Sequence, residues 1–232
     1  MAKNDVKLLG VWASPFVMRV QISLNIKSVN YEFLEETIGT KSELLLQSNP
    51  VHKKFPVLIH GDKPICESLV IVQYIDEAWT SGPSILPSDP YNRAIQRFWA
   101  AYLDDKWYPA MRRFRGAHGE KRQELLDQMV EVLALLEEAF GKYCKGKAFF
   151  GGDRIEFLDI AFGSFLGWLR VIEKVGGVKL LDEAKTPGLV KWAERFCADV
   201  AVKSVMPETE KLIEFSKVLM AKMKRAPPPP KN

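Results

Sequence analysis

Apolar positions change period part-way along the chain. Val6–Val11 is a compact apolar run suited to a buried strand, and Phe16, Val20, Ile22 and Leu24 begin a helical stretch lasting to about Ile26. Tyr31–Leu34 predicts a second strand, Lys41–Gln47 a short helix, and Pro56–His60 a third strand. Gly61 and Asp62 make a two-residue hairpin turn into a fourth strand, Lys63–Cys66. From Ser68 onward Leu69, Val72, Ile75 and Trp79 recur at helical spacing. The order is βαβαββα.

That order makes strands one and two parallel through a right-handed crossover and strands three and four an antiparallel hairpin, an α/β thioredoxin-like layout for residues 1–79. Residues 80–90 collect Thr80, Ser81, Gly82, Pro83, Ser84, Pro87, Ser88, Asp89 and Pro90 and read as a linker. Beyond it strand alternation gives way to helical periodicity, predicting an all-α domain over 91–224. Its helices fall at about Tyr91–Arg115, Lys121–Tyr143, Phe157–Val175, Thr186–Val200 and Glu208–Lys224. Phe157–Trp168 is apolar nearly all round, which places it at the centre of that bundle. Residues 225–232 form a proline-rich tail.

Charge changes the picture only after it is located. The chain of 232 residues has 33 Lys and Arg against 29 Asp and Glu, a formal +4. Lys222, Lys224, Arg225 and Lys231 lie in the last segment with no acid among them, so the body ahead is neutral. Four prolines, Pro227 to Pro230, favour extended backbone there, either as a solvated terminus or as a ligand for a proline-binding domain. Basic recognition helices, zinc spacings and aromatic–basic sheet patterns are missing, so nucleic acid is not an expected partner. Three cysteines, Cys66, Cys144 and Cys197, suggest neither a disulfide framework nor a metal site. The start of the chain lacks an apolar signal core, and its greasiest stretch is short for a span and carries Asp159 and Arg170. No membrane partner is expected, and a reducing cytoplasmic location fits.

The candidate chemistry lies at Val11-Trp12-Ala13-Ser14-Pro15-Phe16. Pro15 at the first helical position makes Ser14 the N-cap, where unpaired N–H groups and the helix dipole favour an anion. Redox proteins of this layout place a cysteine there, and this chain does not. A serine hydroxyl can instead donate to the thiolate of a bound thiol. Lowering a thiol from about 8.5 by about two units needs about 2.7 kcal/mol. One charge-assisted hydrogen bond, at roughly 1.5–3 kcal/mol, and the helix end are sufficient. Read from the pattern alone, Ser14 is equally a simple cap. Phe55-Pro56 at the mouth of strand three suits a retained cis peptide, and Glu67 with Ser68 at the next helix start matches the ammonium and carboxylate of an amino-acid headgroup.

Taken in order, Trp12–Phe16 with Arg19, Asn49-Pro50-Val51-His52-Lys53-Lys54, Pro64–Ser68, Ile71–Glu77, Gly151-Gly152-Asp153 and Leu158–Ala161 resemble the plant tau class of glutathione transferases, from Val6 to about Leu219. The resemblance implies an enzyme that conjugates glutathione to hydrophobic electrophiles in detoxification and stress response. Glutathione would be a co-substrate, with no permanently bound cofactor and no metal. It makes Ser14 the catalytic hydroxyl and assigns the glycyl carboxylate to Lys41 and Lys54. The Phe55 backbone ahead of cis Pro56 takes the cysteinyl unit, and Glu67 with Ser68 take the γ-glutamyl end. The electrophile pocket it implies comprises Trp12, Phe16, Tyr108, Arg112, Trp168, Phe215 and Leu219, although Trp168 reads equally as packing. A non-catalytic carrier of hydrophobic ligands and a glutathione-dependent hydroperoxide reductase would use the same groups.

The chain departs from the resemblance in places. Phe55 replaces a branched aliphatic residue, and Val11 and Arg115 stand where aromatics are common, which suggests a wider or more polar electrophile site. Glu156 occupies a cap position where small residues are commoner, which should weaken its box with Asp159. A homodimer is implied, with Asp76, Glu77, Arg93 and Arg97 as expected cross-subunit partners.

Overall fold

The computed structural model describes residues 5–225, with side chains through Ala221. The proline-rich segment from Ala226 onward lies outside the described residues. Four strands, β1 (Val6–Gly10), β2 (Glu32–Glu35), β3 (Val57–His60) and β4 (Lys63–Cys66), form one sheet in the order β2-β1-β3-β4. β1 runs parallel to β2, while the β1–β3 and β3–β4 pairs are antiparallel, as the element order requires.

Alternation along the strands sorts the two faces. Leu8 and Leu58 pack with Val17, Val20 and Leu24 of α1 (Pro15–Ile26) and Ile71 and Ile75 of α3 (Ser68–Ala78). Leu9 and Val57 turn the other way, onto Leu45 of α2 (Glu43–Ser48). Gly10 is required where α1 leaves the sheet, since a Cβ there would lie 2.5 Å from Val17 Cγ2. Register sets which strand ends meet: Gly10 faces Glu35, Leu9 faces Val57 and Val57 faces Cys66. Three strands therefore end, and one begins, at a single edge of the sheet. The segments after β1 and β2, before β3 and after β4 gather there.

A buried ion pair locks this layer to the connection beyond α3. Lys27 Nζ lies 2.7 Å from Asp76 Oδ1, with side chains 2% and 8% exposed. Asp76 also accepts from the N–H groups of Ile85 at 2.8 Å and Leu86 at 2.9 Å. These bonds hold its carboxyl below the usual carboxylate range against the opposing effect of burial, the largest single influence on it.

The remainder is helical. The single helix expected over 91–115 is divided into α4 (Pro90–Tyr102), a π-helical turn over Leu103–Trp107, and α5 (Tyr108–Phe114). After α6 (Gly119–Cys144), the helix expected over 157–175 breaks into α7 (Phe157–Gly163) and α8 (Leu166–Gly176). Phe196 presses on Gly163 so closely that a Cβ would sit 2.3 Å from its ring, and Ser164 Oγ donates to the Ala161 carbonyl at 3.2 Å. Every residue of α7 is buried. α9 (Pro187–Ala198), α10 (Val200–Lys203) and α11 (Thr209–Arg225) complete the chain, with Asp199 capping α10 by accepting from Ala201 N–H at 2.8 Å. Among the described residues no helix is long and apolar enough to cross a membrane.

Asp159 anchors the central helix. It accepts from Phe150 N–H and Glu156 N–H at 3.0 Å each and from Trp192 Nε1 at 2.7 Å. Complete burial outweighs those three donors and pushes its carboxyl up to about 7. The capping box between Glu156 and Asp159 is present, and the Glu156 carboxylate also accepts from Gln96 Nε2 at 2.6 Å.

Candidate active site

Ser14 stands at the edge where the strand ends converge. Its backbone is extended (φ −83°, ψ 122°), and its hydroxyl oxygen accepts the cap bond from Val17 N–H at 3.4 Å. No acceptor among the described residues takes the hydroxyl proton, which is left to donate. Phe55–Pro56 is a cis peptide, with Pro56 buried and Phe55 half-buried beside it. Asn49 shapes the approach to it by donating to the Lys54 carbonyl at 2.8 Å and accepting from His52 N–H at 3.1 Å. Lys41 and Lys54 are exposed, and no carboxylate among the described residues comes within ion-pair distance of either. Glu67 adopts φ 70°, uncommon for a residue with a side chain, and is exposed at the start of α3, 3.9 Å from His52 Nε2.

Ser68 Oγ is drawn into a buried polar junction that periodicity did not show. Wholly buried Arg19 donates to it at 3.1 Å, to both carboxylate oxygens of Asp104 at 2.9 and 2.5 Å, and to the Ala161 carbonyl at 3.0 Å. The guanidinium also lies 5.0 Å from the ring centroids of Phe16 and Phe165. One side chain thus couples the Ser68 end of the candidate site to the π turn and the central helix. Sequence singled out Arg19 only within a motif and missed Asp104 altogether; an arginine in an otherwise apolar helix face was the available signal.

Aromatic side chains rise from the same edge. Trp168 Nε1 donates to the carbonyl of Ala13, beside Ser14, at 2.8 Å, so this tryptophan ties α8 to the Ser14 turn. Trp12 meets Phe215 edge-on at 5.2 Å, and Phe215 stands 6.4 Å from Trp168. Phe16 packs edge-on against Tyr108 at 4.7 Å and Phe165 at 5.8 Å. Arg115, at the end of α5, lays its guanidinium over Trp168 at 4.6 Å from the ring centroid, and Arg112 is exposed one turn earlier. Between the sheet edge and α11, Val11, Glu35, Glu36, Ile38, Phe215, Val218 and Leu219 line a cavity of about 120 Å³. The predicted residues fall into two neighbouring groups, polar below and aromatic above.

Residues 4–77 match the glutathione S-transferase N-terminal domain, and residues 98–199 match its C-terminal domain. Glutathione S-transferase U17 of Arabidopsis thaliana is 63% identical over 96% of this chain and 99% of its own length. A tau-class glutathione S-transferase structure from mango, Mangifera indica, superposes with a TM-score of 0.91 at 69% identity, covering 94% of this chain and all of that one. The chain belongs to the tau class of the glutathione S-transferase family. A rice transferase solved in complex with glutathione is 39% identical, with a TM-score of 0.87 over 94% of this chain and 97% of its own.

Two features of this transferase refine the sequence reading. Burial and the adjacent Glu67 carboxylate push the Cys66 thiol up, and its Sγ faces the Ser48 carbonyl at 3.6 Å, which keeps it in the unreactive protonated form. Of the expected subunit partners, Asp76 needs correction. Asp76 is committed inside the chain to Lys27 and the linker, and Arg97 donates to Gln73 Oε1 at 2.9 and 2.5 Å. The Asp76 side chain is buried by these bonds, whereas Arg97 stays exposed.

Proposed function

We propose that this transferase joins the thiol of glutathione to hydrophobic electrophiles, with Ser14 donating a hydrogen bond to the thiolate. The Ser14 turn supports this most directly: its oxygen is occupied by the cap, its proton is unspent, and its neighbour Ala13 is bonded to the aromatic wall. The thiol proton passes to solvent as the sulfur becomes anionic at the start of α1, and the sulfur then forms the new bond to the electrophilic carbon as its leaving group departs. Lys41 and Lys54 take the glycyl carboxylate, and the Phe55 backbone ahead of Pro56 pairs with the cysteinyl unit. Glu67 and Ser68 hold the γ-glutamyl end, Ser68 with its oxygen already accepting from Arg19. Trp12, Phe16, Tyr108, Arg112, Trp168, Phe215 and Leu219 enclose the electrophile. Residues 1–79 thus supply glutathione binding and 91–224 most of the second pocket, across the 80–90 linker. Glutathione is consumed as co-substrate, with no resident cofactor.

Calorimetric titration with glutathione, followed by a conjugation assay on an activated chloroarene, tests this reading. Binding with no product at any pH would refute it in favour of a carrier. A cytoplasmic homodimer completes the proposal. Exposed Val70 and Phe98 flank the Gln73–Arg97 bond joining α3 to α4, an apolar surface suited to a second copy. Equilibrium sedimentation should give twice the mass of the 26.4 kDa chain, and a monomer mass at micromolar concentration would remove the dimer.

A further inference from the structure

Two wholly or nearly buried cations in this fold each have a carboxylate: Arg19 has Asp104 and Lys27 has Asp76. Arg115 is different. It is half-buried at the end of α5, yet no carboxylate among the described residues lies within ion-pair distance of it. The groups that act on its charge are the phenol of Tyr108, which favours it, and the guanidinium of Arg112, which opposes it. Burial, the largest influence, holds its pKa below the ordinary arginine value. Its guanidinium lies over the face of Trp168, and the edge of that same indole is bonded to the carbonyl next to Ser14. A guanidinium with no carboxylate partner among the described residues therefore sits one indole ring away from the proposed thiolate, with Tyr108 close to it and with Phe215, itself packed on Trp12, beside the same indole.

Resting on the assignment of that pocket to the electrophile, we propose that Arg115, with Arg112 beside it, selects aromatic electrophiles that carry an anionic group, a carboxylate or sulfonate on a planar ring. A planar acid suits both halves of the pocket. Its ring stacks among the aromatics, and its two oxygens meet the fork of a guanidinium that has no carboxylate partner among the described residues. The reaction itself is unchanged: the glutathione sulfur bonds to the ring carbon bearing chlorine, chloride leaves with the electron pair, and the thiol proton goes to solvent. Arg115 touches the substrate remotely from the reacting carbon and sets specificity.

The test compares 4-chloro-3-nitrobenzoate with its uncharged amide, each kcat/KM divided by the uncatalysed rate with glutathione. The wild type should favour the acid. In Arg115→Gln the acid-to-amide ratio should fall about tenfold, mainly through KM of the acid, with Arg115→Lys intermediate and added salt compressing the wild-type ratio. A ratio equal in the wild type and Arg115→Gln overturns the proposal while leaving the transferase reading intact. Conjugation of neither arene would instead count against that reading. Binding of the two preformed glutathione conjugates, followed by calorimetry in wild type and both variants, then decides the anion site alone: a preference for the carboxylate conjugate that Arg115→Gln abolishes supports it, and equal affinities overturn it.

Discussion

Removing one oxygen at Ser14 separates the cap bond of that hydroxyl from the donation to a thiolate proposed for it. As a cap it accepts from Val17 N–H at 3.4 Å, long enough that Ser14→Ala should cost about 0.5 kcal/mol, the low end for lost caps, and lower Tm by about 1–2 °C. As a donor to a thiolate it is worth more. A charge-assisted hydrogen bond of roughly 1.5–3 kcal/mol corresponds to about 1–2 pKa units of the bound thiol. From a bound value of about 6.5, such a rise cuts the thiolate fraction at pH 6.5 roughly 5- to 50-fold and leaves it almost unchanged above about pH 9.5. The assay is kcat/KM for an activated chloroarene across pH 5.5–10 at saturating glutathione, with melting curves run in parallel. The expected result is a displaced pH profile on a folded protein that still binds glutathione. A Ser14→Ala profile that overlays the wild type, or lies below it by the same factor at every pH, refutes thiolate stabilisation.

The buried polar groups carry the remaining predictions. Asp104→Ala strands Arg19 without its carboxylate and should cost about 3–5 kcal/mol, seen as a large fall in denaturation midpoint; a loss below about 1 kcal/mol would show that the junction is not energetically coupled. Asp159, held up to about 7, keeps a proton in the folded state that the unfolded chain releases near pH 4. Its contribution to stability is therefore full below about pH 4 and lost as pH rises through 7. Asp159→Asn should start less stable, by about 1–3 kcal/mol, and show a flatter fall in Tm between pH 5 and 8; parallel falls in wild type and variant would contradict the assignment.

Much of the sheet layer was legible because its signals are local. Pro15 after Ser14 marked a helix start, Gly61-Asp62 marked a hairpin, and short apolar runs between helical stretches and turns marked the strands, with ends shifted by a residue or so. The helical part hid its breaks for two physical reasons. Leu103, Trp107, Ala110, Met111 and Phe114 are all buried at spacings that an α-helix also produces, so the π turn leaves no trace in periodicity. Residues 157–165 are buried on every side, and a sequence without a polar face carries no phase from which an interruption could be read. Long-range polar partners escaped for another reason: Arg19 and Asp104 are 85 positions apart, and Asp76 looked like an exposed helix acid until the linker folded over it.

The π turn has a consequence for the pocket that residue identity alone does not express. It inserts one residue into a helix that otherwise advances about 100° per residue, so α4 and α5 are out of angular step. One unbroken apolar stripe can then change neighbours: Gln96 of α4 reaches the N-terminus of α7 at Leu158, while Phe114 of α5 lies under Arg122 of α6. Tyr108 and Arg115 both lie beyond the slip. Deleting a single residue within Leu103–Trp107 would let the turn close as ordinary α-helix and leave both facing Phe16 and Trp168, whereas an unbroken α-helix of the same length would swing them about a quarter-turn away. Which side chains meet Phe16 and Trp168 is set by the extra residue that the turn absorbs as much as by their chemistry.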